Sequence, residues 1–109
     1  MCTRDVEYRK KLDQDPREYR SVLAKTIFGI LLAQAYAKGA KNNITEPVLF
    51  LLAGEDKLVD PQASRLLFNS LTVKDKTLIE FPGMYHALSI DIGKEAVFEE
   101  ILKWVEKRM

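Results

Sequence analysis

A carboxylate and an imidazole stand thirty residues apart in this chain, each just past a stretch rich in apolar residues. Asp56 lies in Gly54-Glu55-Asp56-Lys57-Leu58-Val59-Asp60, after the run Pro47-Val48-Leu49-Phe50-Leu51-Leu52-Ala53. His86, the one histidine, lies in Phe81-Pro82-Gly83-Met84-Tyr85-His86-Ala87-Leu88. Such a pair can do general-base chemistry. The carboxylate holds one ring nitrogen and fixes the tautomer, and the other nitrogen takes the proton of a hydroxyl nucleophile. The pair looks like two members of a Ser-His-Asp triad. The third is not in frame: a nucleophile elbow reads G-x-S-x-G, and none of Ser21, Ser64, Ser70 and Ser89 sits in that pattern.

Two strands must carry the pair. The unbroken apolar run 47–53 suits a parallel strand buried on both faces. Lys76–Phe81 is a second strand, with Thr77, Ile79 and Phe81 on one side and Lys76, Leu78 and Glu80 on the other. Between them Asp60-Pro61 starts a helix by cap-plus-proline logic, with Ala63, Leu66, Leu67 and Leu71 as its apolar face. Residues 47–81 thus form a βαβ unit, whose crossover should be right-handed. Parallel neighbours about 4.8 Å apart present their C-terminal ends on one edge of the sheet, where open α/β sheets hold their ligands. Asp56 and His86 both follow such ends. Asp60 is a rival acid better explained as a cap. Asp75 lies at the wrong end of its strand, and Asp91 follows His86 closely but stays open as a partner.

The flanks read as helices. Met1–Gln14 is charge-dense, a short surface helix or an irregular arm. Asp15-Pro16-Arg17-Glu18 has the form of a helix start, and Ser21 is a second possible start. Leu23, Ile27, Ile30 and Leu31 then make an apolar stripe, widened by Ala24, Phe28 and Ala35 and ended by Gly39 and Asn42-Asn43. Its apolar-rich stretch 27–37 is too short to span a bilayer and suits a buried helix. After Gly93 a last helix lines up Val97, Ile101, Trp104 and Val105.

The bulk numbers exclude other classes. A chain of 109 residues is one domain at most. Basic and acidic residues, 17 and 16, are well mixed, so no phosphate-binding face forms and nucleic acid is not an expected partner. Cys2 is alone and His86 is alone, which leaves no disulfide and no cysteine or histidine metal cluster. No transmembrane segment and no signal-type apolar core are read, and a cytoplasmic location fits.

Residues 44–108, from Ile44-Thr45-Glu46-Pro47 through Gly54-Glu55-Asp56 and Gly83-Met84-Tyr85-His86 to Ile101-Leu102-Lys103-Trp104-Val105, resemble the end of monoacylglycerol lipase-like and lysophospholipase-like α/β-hydrolases. That pattern is Pro plus an apolar strand, a Gly-x-x-Asp turn that stands here as the shorter Gly54-Glu55-Asp56, a later Gly-x-x-His, and a closing helix with Trp. The resemblance implies an α/β fold, helix-β-α-β-α, forming the C-terminal portion of an α/β-hydrolase. Residues 1–43 would end the cap and carry the helix returning to the core, and residues 44–109 would be the C-terminal βαβα. It implies Asp56 as triad acid and His86 as base, with no metal or organic cofactor. Leu58, Val59, Met84 and Leu88 flank the pair and are candidates for lining an acyl pocket, against ordinary core packing. The helix 22–37 could border an acyl channel.

The expectation is a fragment of a serine carboxylic-ester hydrolase for lipid-like esters, monoacylglycerols or lysophospholipids, that lacks its nucleophile and is inactive alone. The alternative is a non-catalytic interaction or structural module. Either way two strands leave an open edge, so self-association or pairing with a missing N-terminal half is expected.

Overall fold

A computed structural model describes residues 2–18 and 21–109. Helix α1 (Val6–Gln14) and helix α2 (Ala24–Ala40) come first, followed by a short 3-10 turn (Lys41–Asn43). Strand β1 (Val48–Ala53), helix α3 (Pro61–Ser70), strand β2 (Lys76–Phe81) and helix α4 (Lys94–Glu106) complete the order. The two strands pair in parallel, from Val48 opposite Lys76 to Ala53 opposite Phe81.

The alternation of side chains along β2 sorts the two faces of the sheet. On one face lies α4. Val97 at 2% exposure packs with Phe81 and Met84, and Leu51, Ile79, Leu88 and Ile101 surround them. The Trp104 indole donates to the Thr77 hydroxyl at 3.1 Å, so the ring is anchored at its polar end. On the other face lies α3. The Phe50 and Phe68 rings meet edge to face at 5.9 Å. The charged residues of β2 serve this face too: Arg65 pairs with Glu80 at 2.5 Å. The Lys76 ammonium donates to the carbonyls of Phe68 and Leu71 at 3.0 and 2.8 Å, placing a cation at the negative end of α3. The mixed polarity of β2 therefore answers to α3.

Asp60 caps α3 by accepting from the Gln62 amide at 2.9 Å, with Pro61 as its first residue. The Asp15-Pro16 sequence does not start a helix. Asp15 instead closes α1, whose own cap is Asp5, accepting from the Tyr8 amide at 3.0 Å. Pro16 and Arg17 form a turn, and the Asp15 carboxylate accepts from the Arg17 amide and guanidinium at 2.7–2.9 Å. Residues 19 and 20, through which a helix from Asp15 would run, lie outside the described residues. Ser21 starts nothing, for α2 begins at Ala24 after Leu23, which supplies no side-chain cap.

Two apolar stripes are also corrected. In α3, Leu66 is exposed and Leu67 half exposed, while Phe68 makes the sheet contact. In α4, Val105 faces outward at 40%. The expected burial of α2 fails altogether: none of its residues is buried, and Phe28 is 62% exposed. Apolar residues lie all round α2, so no one face of it gathers them for packing. The Cα radius of gyration, 16.2 Å, accordingly exceeds the roughly 13 Å of a compact domain this size. No helix among the described residues is long and apolar enough to cross a membrane.

Candidate acid–base site

The site begins with the way two loops are stitched together. After β2, Phe81-Pro82-Gly83-Met84 makes a tight turn closed by the Met84 amide on the Phe81 carbonyl at 3.3 Å. Proline presets the first corner, and Gly83 takes φ +74° at the second, the left-handed position that favours glycine. The Phe81 carbonyl also accepts from the Gly54 amide at 3.0 Å, and the Met84 carbonyl accepts from the Glu55 amide at 3.0 Å. The loop after β1 is thus laced to the loop after β2. A Cβ on Gly54 would come within 3.1 Å of Pro82 Cα and 3.2 Å of the Phe81 oxygen, so glycine permits the close approach.

This lacing brings Asp56 to His86. Asp56 Oδ2 lies 2.8 Å from His86 Nδ1. Asp56 Oδ1 accepts from the amides of Leu58 and Val59 at 2.8 and 3.0 Å. One oxygen therefore anchors the carboxylate to its own loop, and the other reaches the ring. Burial pushes the Asp56 carboxyl up. The Val59 and Leu58 amides and then His86 outweigh it, so the group is held below its ordinary value. It is an anion at neutral pH and can accept only. A proton on Nδ1 therefore makes the 2.8 Å contact, which leaves Nε2 as the acceptor. The His86 side chain is 42% exposed and the Asp56 side chain 9%, so the ring stands open above a sheltered carboxylate.

The rival acids are engaged elsewhere. Asp60 caps α3. Asp75 pairs with Arg108 at the opposite end of β2. Asp91 is 2% exposed and binds Thr3, Arg4 and the Tyr85 amide.

The apolar residues around the pair divide into two groups. Met84 is 5% exposed and Leu88 packs beside it, so both serve the core beneath the histidine loop. Leu58 and Val59 are exposed, and Val59 borders an apolar cavity of about 570 Å³ between α2, β1 and α3, with Phe50, Leu67 and Leu71 on its walls. Of the serines, Ser64 sits on that wall within α3, and Ser70 donates to the Leu67 carbonyl at 2.7 Å.

Sequence reasoning missed the Asp91 cluster as a unit. Thr3, Arg4 and Asp91 are 87 and 88 residues apart, beyond any local pattern. The turn, in contrast, had a signal in Pro82-Gly83.

Known proteins resemble this chain in sequence and, in one solved structure, in fold. The serine aminopeptidase S33 family profile matches residues 1–93. Mouse monoglyceride lipase is 35% identical over 101 residues, covering 89% of this chain and 33% of the lipase. Caffeoylshikimate esterase of Arabidopsis thaliana is 26% identical over 110 residues, covering 97% of this chain and 33% of the esterase. The crystal structure of Paleococcus ferrophilus monoacylglycerol lipase superposes with a TM-score of 0.86 at 29% identity, covering 99% of this chain and 42% of that protein. The chain thus spans about one third of the length of these curated relatives. The matched span, the parallel βαβ unit and the superposition agree: the chain belongs to the serine aminopeptidase S33 family and is a monoacylglycerol lipase-like α/β-hydrolase.

Proposed function

We propose that this chain supplies the acid and the base of a serine carboxylic-ester hydrolase acting on lipid-like esters of the monoacylglycerol or lysophospholipid type. The observation that carries the reading is the 2.8 Å Asp56–His86 contact at the ends of two adjacent parallel strands, with Asp56 anchored by two amides. His86 Nε2 would take the proton of a serine outside these 109 residues as that serine attacks the ester carbonyl, and return it to the leaving alcohol. Asp56 would hold the ring tautomer and stabilise the imidazolium formed in between. The oxyanion donors, like the serine, would lie outside this sequence. Leu58 and Val59 would offer apolar surface to the acyl chain at the mouth of the site. Met84 and Leu88 would act beneath it, as support for the histidine loop. The two esterase-type relatives differ in the substrate their names carry, so the acyl and alcohol groups are the part of this reading open to substrate profiling.

The test is a chimera in which this chain replaces the matching segment of the Paleococcus ferrophilus lipase. Monoacylglycerol hydrolysis is expected in the chimera, with kcat falling by about four orders of magnitude on Asp56→Asn or His86→Ala. A chimera with native-like circular dichroism but no turnover, or one indifferent to both substitutions, would defeat the assignment. The 109-residue chain alone should show no saturable p-nitrophenyl butyrate turnover.

One observation favours a second reading, an interaction module that self-associates: the apolar residues of α2 stand in solvent. Failure of the chimera combined with a stable homodimer would support it.

A further inference from the structure

Asp91 is a buried charged group that the acid–base pair does not use, and its surroundings connect it to that pair. We propose that Asp91, drawn inward by Thr3 and Arg4, is a positioning residue that fixes the backbone around His86 and so aims the imidazole at Asp56. The inference rests on reading Asp56 and His86 as orienter and base.

The argument starts from the two peptides that flank the histidine. The Tyr85 amide donates to Asp91 Oδ2 at 2.7 Å. The Ala87 amide donates to the Cys2 carbonyl at 2.8 Å. The backbone is therefore pinned immediately before and immediately after His86. Both pins lead to the same N-terminal strap, residues 2–5. Asp91 Oδ1 accepts from the Thr3 hydroxyl at 3.1 Å and the Arg4 amide at 2.7 Å, and Oδ2 also accepts from Arg4 Nε at 3.1 Å. Thr3 is itself fully buried, its hydroxyl reaching the Ile90 carbonyl and accepting from the Asp5 amide. The Arg4 guanidinium further contacts the Ile92 carbonyl. The Ile92 amide also turns toward the carboxylate, so donors surround both of its oxygens.

Such a device has work to do at this position. The His86 side chain is 42% exposed, so packing does little to orient it. The turn before it bends at Gly83, a residue with wide backbone freedom. A ring that must meet a carboxylate at 2.8 Å from such a loop needs its backbone set from outside the turn. The strap supplies that constraint through Asp91, from which Arg4 and Thr3 stand 87 and 88 residues away in sequence. A buried ion pair is often replaceable by apolar packing without loss of stability. This one differs in tying its carboxylate to two backbone amides, of Tyr85 beside the histidine and of Arg4 in the strap that holds the loop.

His86 is the only imidazole, so its nitrogen resonances report without ambiguity in a 15N-labelled chain. Long-range 1H–15N spectra of neutral His86 should show the Nδ1–H tautomer in excess. Asp91→Asn should lower the Nδ1–H to Nε2–H ratio by about threefold or more, the scale of one lost orienting hydrogen bond. Thr3→Val should lower it less, in the same direction. Near-ultraviolet dichroism of Trp104 establishes that each variant is folded. An unchanged ratio in folded Asp91→Asn overturns the proposal. If that variant does not fold, an unchanged ratio in folded Thr3→Val overturns it. Asp56→Asn separates the two layers: its amide oxygen stays on the Leu58 and Val59 amides, so an NH2 donor faces the ring and the preference should be erased. A wild-type ring without the preference, or one that keeps it in Asp56→Asn, overturns the acid–base reading and this inference with it.

Discussion

The C-terminal edge of the sheet and helix α2 sit in the same short chain and obey opposite rules. At the edge, polar groups meet partners supplied by distant segments: Gly54 with Phe81, Glu55 with Met84, Asp56 with His86, Thr3 and Arg4 with Asp91. Along α2, apolar side chains meet solvent, with Ile27, Phe28, Leu31 and Leu32 all more than half exposed. The geometry of the acid–base pair is therefore internal to these 109 residues, whereas the burial of α2 is not achieved within them. A site can be locally complete in orientation while the surface beside it remains thermodynamically unsatisfied. Hydrogen bonds are directional and close over a few ångströms. Hydrophobic burial needs area, and two strands with two covering helices provide little.

The sharpest way to break that contrast is to empty the polar cluster. Asp91→Ala leaves the buried Thr3 hydroxyl, the Arg4 and Tyr85 amides and the partly exposed Arg4 guanidinium without their shared acceptor. A loss of about 2–3 kcal/mol is expected, the scale of buried amides left without an acceptor. Urea denaturation followed at Trp104 measures it. A loss below about 1 kcal/mol, the scale of an exposed ion pair, would mean that the edge is no better knit than the surface.

How much of this contrast the sequence discloses depends on distance along the chain. β1, α3 and β2 are legible because period, cap and proline signals are local: Asp60-Pro61 caps α3 as read, and the Lys76–Phe81 faces fall as alternation places them. The approach of Asp56 to His86 follows from parallel strand ends plus Pro82-Gly83. Asp15-Pro16 misleads for the same local reason. A cap signal states only that an aspartate can accept nearby amides, and Asp15 does accept one, from Arg17, in a turn. The strap is illegible because its partners are 87 residues apart and neither segment is periodic. For α2, composition states that residues prefer burial, and nothing in composition states what buries them.

Acid offers a smaller, graded probe of the same edge. The Asp91 carboxyl is pushed up by burial, but the Tyr85, Arg4 and Ile92 amides and the Arg4 side chain bring it down to about 2, from an ordinary 3.8. A folded-state value below the unfolded one gives stability that is present above the unfolded value and disappears as pH falls through the folded one. The contribution is about 2 kcal/mol at neutral pH and should be lost between about pH 4 and pH 2. Asp56 shifts the same way and adds to the slope. Stability measured across that window should fall with pH in the wild type and fall less steeply in Asp91→Asn. Parallel curves would show that the cluster does not discriminate between the charged and neutral carboxyl.

The smallest expected effect lies at α2, and its smallness is informative. Phe28 and Leu32 are 62% and 57% exposed. Replacing both by glutamine removes little packing, and glutamine is at least as good a helix former as phenylalanine. The unfolding free energy of the monomer should therefore change by no more than about 0.5 kcal/mol, as for surface positions without special contacts. Association should respond differently. A contiguous apolar helix in water is a surface that copies of the chain can cover for one another, so light scattering of the wild type should rise with concentration and that of the double variant should rise less. A destabilisation above about 1 kcal/mol at a concentration where both proteins are monomeric would show that α2 folds back onto the sheet in solution. The two regions would then be coupled, and the apolar cavity between α2, β1 and α3 would be a closed core in solution.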